Sequence, residues 1–252
     1  MSQPDRTQLL AEVQSGDRQA LARAITLIEN DPTTFTLPKS GSTAQIVGVT
    51  GAPGVGKSTT VDALLKLLRA KKLSIAVLAV DPSSPISGGA LLGDRIRLTD
   101  HFTDSGVFIR SLATRGHLGG LTEATSAVLQ LIQLANFDFI IVETVGVGQS
   151  EDEVMRVVDS VLVVLAPGMG DGIQASKAGL LEIGDIYLVN KSDREGAKQT
   201  AQDIERSIAM SPPKTLGGQS WTPPVLLGAM HNGTGINELM EQILAHGKLV
   251  LQ

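Results

Sequence analysis

Gly51-Ala52-Pro53-Gly54-Val55-Gly56-Lys57-Ser58-Thr59 fits the pattern G-x-x-x-x-G-K-[ST] with every fixed position filled. The run Gln45–Thr50 before it is mostly apolar and reads as a short buried strand. After it, Val61, Leu64, Leu65 and Leu68 recur at helical spacing. A strand, a glycine loop and a helix in that order turn backbone N–H groups and a helix N-terminus towards an anion. Lys57 is then placed to reach the β- and γ-phosphates, and the Ser58 hydroxyl to ligate Mg²⁺. A chance glycine-rich turn would need neither the strand nor the helix, so residues 51–59 predict a nucleotide-binding phosphate loop.

The same alternation continues outward. Apolar runs recur at Ser74–Val80, Val107–Ile109, Phe137–Val142, Val161–Leu165, Ile186–Val189 and Val225–Leu227. Helical patterns such as Leu121–Leu134 and Ala197–Ile208 lie between most of them, and a last helix carries Ile236, Leu239, Met240, Ile243 and Leu244 on one stripe. Strands that are apolar almost throughout, separated by helices, predict an α/β fold: a doubly wound, mainly parallel sheet of about seven strands. Before it, two short helical patterns break at Ser15-Gly16-Asp17 and are followed by a linker-like Pro32–Thr43. The expected organisation is an N-terminal helical segment over 1–43 and a nucleotide-binding domain over 44–252. Met210–Pro224, rich in Pro and Gly, reads as a surface loop.

In such a sheet, ligands bind where the loops leave the carboxyl ends of the strands. After the second strand comes Asp81, with Asp94 further on. A carboxylate here either holds Mg²⁺ or its waters, or, at Asp81, merely caps the turn before Pro82. Glu143 ends a strand whose only polar member is Asp138, the arrangement in which an acid carries Mg²⁺ directly or through water. Gly146 could offer its N–H to the γ-phosphate, which would make that loop sensitive to hydrolysis. Asn190-Lys191-Ser192-Asp193 fits N-K-x-D. The Asp193 carboxylate can accept from guanine N1–H and the 2-amino group, and adenine, lacking both donors, would leave it unpaired. The Lys191 stem can lie along the base, and the amides of Gly228, Ala229 and Met230 sit where they could close over guanine O6. Guanine is therefore expected over adenine.

The composition excludes several classes. At 252 residues and 42% hydrophobic the chain can bury a full core. With 21 Lys+Arg against 26 Asp+Glu, no global field draws it to nucleic acid or an anionic membrane. No cysteine is present, which rules out disulfides and thiolate metal sites. The histidines, His101, His117, His231 and His246, show no paired ligand spacing and read as solvated or second-shell groups. No leader pattern opens the chain and no apolar stretch reaches ~18 residues, so the expected location is cytoplasmic, or organellar after loss of a transit peptide.

These motifs together resemble the MeaB/ArgK family, SIMIBI-class GTPases that attend adenosylcobalamin-dependent methylmalonyl-CoA mutase and related mutases. The likeness runs from Ile46 to His246 and includes Asp81-Pro82-Ser83-Ser84-Pro85, Gly93-Asp94-Arg95, Ala113–Leu121, Glu143–Glu151, Pro167-Gly168-Met169-Gly170-Asp171 and Lys177–Ile183. The resemblance implies that Asp81, Asp94 and Glu143 surround Mg²⁺, with Ser58 on the same ion. It also implies that Pro167–Lys177 is an extra switch, with Lys177 coupling mutase binding to hydrolysis. Read from the residues alone, that segment is an ordinary glycine-rich connection. The resemblance further implies GTP/GDP with Mg²⁺ as ligands and a mutase as partner. Family members continue into a C-terminal arm that makes the homodimer; this sequence stops at Gln252, which leaves a homodimer by that route open. Gly228 stands where the family has Ser. No glutamine directly follows Gly146, and the role of Gln149 is open. Unassisted turnover is expected on the order of 10⁻⁴ to 10⁻² s⁻¹, rising when a partner brings Lys177, Arg95 or Arg115 towards the phosphates. Two rivals stand beside this reading: a P-loop kinase acting on a protein or small molecule, and an interaction module that binds nucleotide with negligible catalysis.

Overall fold

The computed structural model describes residues 3–38, 40–81, 95–113, 120–144, 155–168 and 182–251. Asp94, Arg115, His117, Gly146, Gln149, Lys177 and most of the expected extra switch lie outside them, and of Asp81 and Arg95 only the backbone is described.

Seven strands form one sheet: β1 (Gln45–Thr50), β2 (Ile75–Asp81), β3 (Val107–Ala113), β4 (Phe139–Thr144), β5 (Ser160–Leu165), β6 (Ile186–Val189) and, after a small hairpin, β9 (Val225–Leu227). Their order is β3-β2-β4-β1-β5-β6-β9 and every pairing is parallel. From β1 the chain passes to β2 and β3 on one side, returns through β4 beside β1, and continues through β5, β6 and β9 on the other, so β1 is central and the loop after it opens near the point where the direction changes. The helices are α1 (Gln3–Gln14), α2 (Arg18–Asn30), α3 (Lys57–Ala70), α4 (Gly120–Leu134), α5 (Ala197–Ala209) and α6 (Ile236–Val250).

Alternate strand residues feed two cores, one on each face. Val47, Val49, Phe139, Ile141, Leu162 and Val164 meet Val61, Leu64, Leu65 and Leu68 of α3 and Leu239, Met240 and Ile243 of α6. Ile46, Ile140, Val142, Val161 and Val163 meet α4 and α5, together with Leu21, Ile25 and Ile28 of α2. With both faces covered, a strand has no polar side to show, hence the continuous apolar runs. Asp17 starts α2 by accepting from the Gln19 and Ala20 amides. The stripe Leu21, Ala24, Ile25 and Ile28 then goes into the core at 0% exposure, about 1.5–3 kcal/mol for each large aliphatic side chain.

Three departures from the sequence expectations have physical reasons. Met210–Pro224 contains an antiparallel hairpin, β7 (Lys214–Leu216) and β8 (Gln219–Trp221), in what reads as a plain loop. Gly217 and Gly218 form its two-residue turn with φ of +52° and +76°, the geometry that two adjacent glycines permit. Its strands are three residues long and largely exposed, so hydrophobic alternation cannot reveal them. Second, β4 begins at Phe139 and runs through Thr144, so Glu143 lies within the strand, paired with Val49 of β1 and Ala79 of β2. Third, a 3-10 segment, Arg95–His101, precedes β3.

Candidate nucleotide site

The loop after β1 is shaped by its glycines. Gly51 has φ +144°, and a Cβ there would stand 2.1 Å from the Val164 carbonyl oxygen of β5. Gly56 has φ +101°, and its Cβ would stand 2.3 Å from Asn190 Nδ2. Any larger residue would push the loop off the sheet at the first position and off the N-K-x-D segment at the second. No side chain caps α3. The first-turn amides of a helix have no partner within it, which suits them to a phosphate.

Lys57 opens α3 and is 8% exposed. Its ammonium donates to the carbonyls of Gly51 (2.7 Å) and Ala52 (3.2 Å), which offsets the cost of burying a charge and holds Nζ across the loop. One residue on, the Ser58 hydroxyl donates to Glu143 Oε1 at 2.7 Å, and both residues are buried. A hydroxyl and a carboxylate this close, at the carboxyl end of the sheet beside a phosphate loop, are oxygen ligands suited to Mg²⁺. The donor set therefore fits the ion. Asp81 ends β2 two residues beyond Ala79, the partner of Glu143, so β2 delivers its backbone to the same edge.

The N-K-x-D segment follows β6 and turns back onto the phosphate loop. Asn190, 3% exposed, donates from Nδ2 to the Val55 carbonyl (2.9 Å), and its Oδ1 accepts from the Met230 amide (3.0 Å). One side chain thus ties the phosphate loop to the loop after β9. Lys191, in a left-handed conformation at φ +58°, reaches Gly54 O at 2.6 Å. Asp193 is exposed, so its desolvation would come only when a ligand covers it. The amides expected to face guanine O6 already have acceptors: Gly228 on Val189 O, Ala229 on Thr234 O, and Met230 on Asn190. A base carbonyl there would have to share or displace these bonds.

The family described as methylmalonyl Co-A mutase-associated GTPase MeaB matches residues 21–252. The chain belongs to the MeaB family. A Pyrococcus horikoshii protein is 46% identical over 251 residues, spanning 96% of this chain and 78% of that one. The GTPase ArgK of Escherichia coli is 38% identical over 247 residues, 93% of this chain and 74% of its own. Among solved structures, a LAO/AO transport system kinase superposes with a TM-score of 0.75 at 28% identity, covering 99% of this chain and 77% of that one. The fold is that of P-loop GTPases.

The other titratable groups of this MeaB-family chain sort by their surroundings. His101 is 7% exposed and held by Asp62; His246 is 1% exposed with Nδ1 2.7 Å from Ser160 Oγ; His231 is exposed. Two of the histidines are therefore interior hydrogen-bonding groups, more buried than the sequence suggests. Among the described residues no group of three His, Asp or Glu is arranged to hold a metal, and no helix is long and apolar enough to cross a membrane. At the opposite end of the sheet, burial works against ionisation of Asp185, but its contacts with His246, Lys214 and the Val161 amide outweigh that and hold its pKa below the ordinary value. Burial raises that of Asp159, although the Ile46 amide donates to its carboxylate at 2.7 Å. The role missed in the sequence is that of Asn190. Its signal was the residue type, since an amide can both donate and accept where an Asp could only accept.

Proposed function

We propose that this chain binds GTP and GDP with Mg²⁺, hydrolyses GTP, and serves as a chaperone of an adenosylcobalamin-dependent acyl-CoA mutase of the methylmalonyl-CoA mutase type. In that role it gates the loading or protection of the mutase cofactor. The observation that carries the reading is the Ser58–Glu143 pair beneath a glycine loop that Asn190 ties to an N-K-x-D segment. Membership of a family described as mutase-associated supports the partner.

On binding, Lys57 would exchange the carbonyls of Gly51 and Ala52 for the β- and γ-oxygens of GTP, and the backbone N–H groups of residues 54–59 would line the phosphates. Ser58, Glu143, Asp81 and Asp94 are the residues that would hold Mg²⁺, which would supply positive charge against that developing on the phosphates. Asp193 would accept from the guanine edge while Lys191 flanks the base. Hydrolysis is positional and electrostatic, with slow unassisted turnover. Lys177 is the residue that mutase binding would bring into play. The chain would work in the cytoplasm, as one helical segment over 1–43 and one GTPase domain over 44–252, as a monomer or a homodimer.

The test is GTP turnover with and without a cobalamin mutase, joined to a pull-down with the protein locked in a non-hydrolysable GTP analogue. Recovery of the mutase and partner-stimulated release of phosphate support the reading; turnover indifferent to the mutase counts against it. The structural likeness to a protein named as a kinase keeps one rival in view. Release of inorganic phosphate with no phosphorylated product separates the two.

A further inference from the structure

At the amino ends of the strands, the edge of the sheet remote from the phosphate loop, α2 meets the start of β3 across a cleft of about 480 Å³. That volume suits a small molecule. Phe102, Phe108 and Ile109 give the cleft apolar walls, Thr103 and Ser105 add hydroxyls, and Arg18 of α2 supplies a cation.

Arg18 is held without a counter-ion. Its guanidinium carbon lies 3.8 Å from the centre of the Phe137 ring, and Phe137 packs in turn against Phe108, with ring centres 6.0 Å apart. The ring face attracts the cation but accepts no ordinary hydrogen bond from it. Nη1 is buried and has no hydrogen-bond partner. Among the described residues Arg18 forms no ion pair, whereas Arg23, Arg69 and Arg110 each face a carboxylate. Burial lowers its pKa. As the first residue of α2 it also stands at the positive end of the helix dipole, where a cation is disfavoured. The neighbouring charges are already paired. Asp104 accepts from Arg69 Nε and Nη2 and from the Gly106 amide, and His101 faces Asp62. The charge left uncompensated at the cleft is that of Arg18.

The chemistry of the walls narrows what would fit. A guanidinium presents a planar fork that matches a carboxylate. A phosphate dianion would find one free cation and the Asp104 carboxylate beside it, so a single carboxylate matches the charge better. Phe102, 52% exposed, leaves a ring at the cleft for an apolar body to cover. We propose that this cleft is a second ligand site, which takes a small molecule carrying one carboxylate on an aromatic body, with the carboxylate on Arg18 and the ring against Phe102. The site does not depend on the nucleotide reading.

The experiment titrates phenylacetate, and its neutral counterpart phenylacetamide, into the whole isotope-labelled chain and follows the backbone amide shifts by NMR. Phenylacetate should saturate the shifts of Arg18 and residues 101–109 at low-millimolar concentration, the scale of so small a fragment. It should bind about tenfold tighter than the amide, the worth of one hydrogen bond to a charged group. Arg18→Gln should erase that preference, Arg18→Lys should keep part of it, and Phe102→Ala should weaken both ligands alike. Melting temperatures establish that each variant is folded, and GDP binding should be the same in all of them. No saturation by ~20 mM phenylacetate, equal binding of the amide, or an undiminished preference in Arg18→Gln overturns the proposal. Should Arg18→Gln fail to fold, shifts lying away from residues 18 and 101–109, or undiminished binding in Phe102→Ala, overturn it instead.

Discussion

Replacing Asn190 with Ala should unlock the site from its scaffold. The side chain donates to the Val55 carbonyl and accepts from the Met230 amide, and it is 3% exposed, so water does not readily take its place. Truncation leaves one buried acceptor and one buried donor unmade, each costing about 1–3 kcal/mol. Some collapse of the vacated space would lower the sum, which points to about 2–4 kcal/mol in all. For a chain of this size the urea slope is near the top of the usual range, ~3 kcal/mol per molar, so the midpoint should fall by about 1 M. The unfolding curve should be measured twice, without nucleotide and with GDP. In the unaltered protein GDP at a hundred times its Kd adds about 2.7 kcal/mol. In Asn190→Ala that increment should largely disappear, because the phosphate loop and the loop after β9 are no longer tied together. Asn190→Asp keeps an acceptor for Met230 but sets an anionic oxygen against Val55 O, so it should fare no better than the alanine. A midpoint within about 0.2 M of the unaltered protein, together with full protection by GDP, would refute the clamp.

Three further outcomes are expected. Lys57→Ala should reduce GTP and GDP binding severely, checked by calorimetry, because it removes the ammonium held across the loop by the Gly51 and Ala52 carbonyls and proposed to meet the β- and γ-phosphates. Asp193→Asn should narrow the preference for guanine over adenine nucleotides in competition binding; unchanged GTP affinity would remove Asp193 from base recognition. Asp185 is held below its ordinary pKa, so its contribution to stability is present above the unfolded value, near 4, and is lost as pH falls through the folded value. Asp185→Asn should therefore be less stable than the parent at neutral pH and show a shallower loss of stability on acidification, read from melting temperatures across pH 2–7.

The phosphate loop was legible because its chemistry is local. Gly51 and Gly56 are constrained by backbone conformation and close approach, and the residue pattern records both demands. The strands were legible too, since a sheet covered on both faces leaves apolar runs, and β6 and β9 match their sequence boundaries residue for residue. The hairpin Lys214–Trp221 left no such trace, as its strands are short and polar and its order comes from contacts elsewhere, among them Trp221 Nε1 donating to Asp185 O. Asp193 reads from the sequence as an acid that could face a base, but its exposure depends on what surrounds β6 and could not be read from N-K-x-D.

The order of residues alone determined that a glycine loop follows a buried strand, that the sheet is parallel, and that an N-K-x-D segment follows β6. Only the tertiary structure decided how those parts meet. Ser58 finds Glu143 across 85 residues, and Asn190 finds Val55 across 135. The physical reason is that a backbone turn or a buried strand is specified by its own few residues, whereas a contact between distant loops depends on strand order, and no local pattern encodes which strand lies beside which.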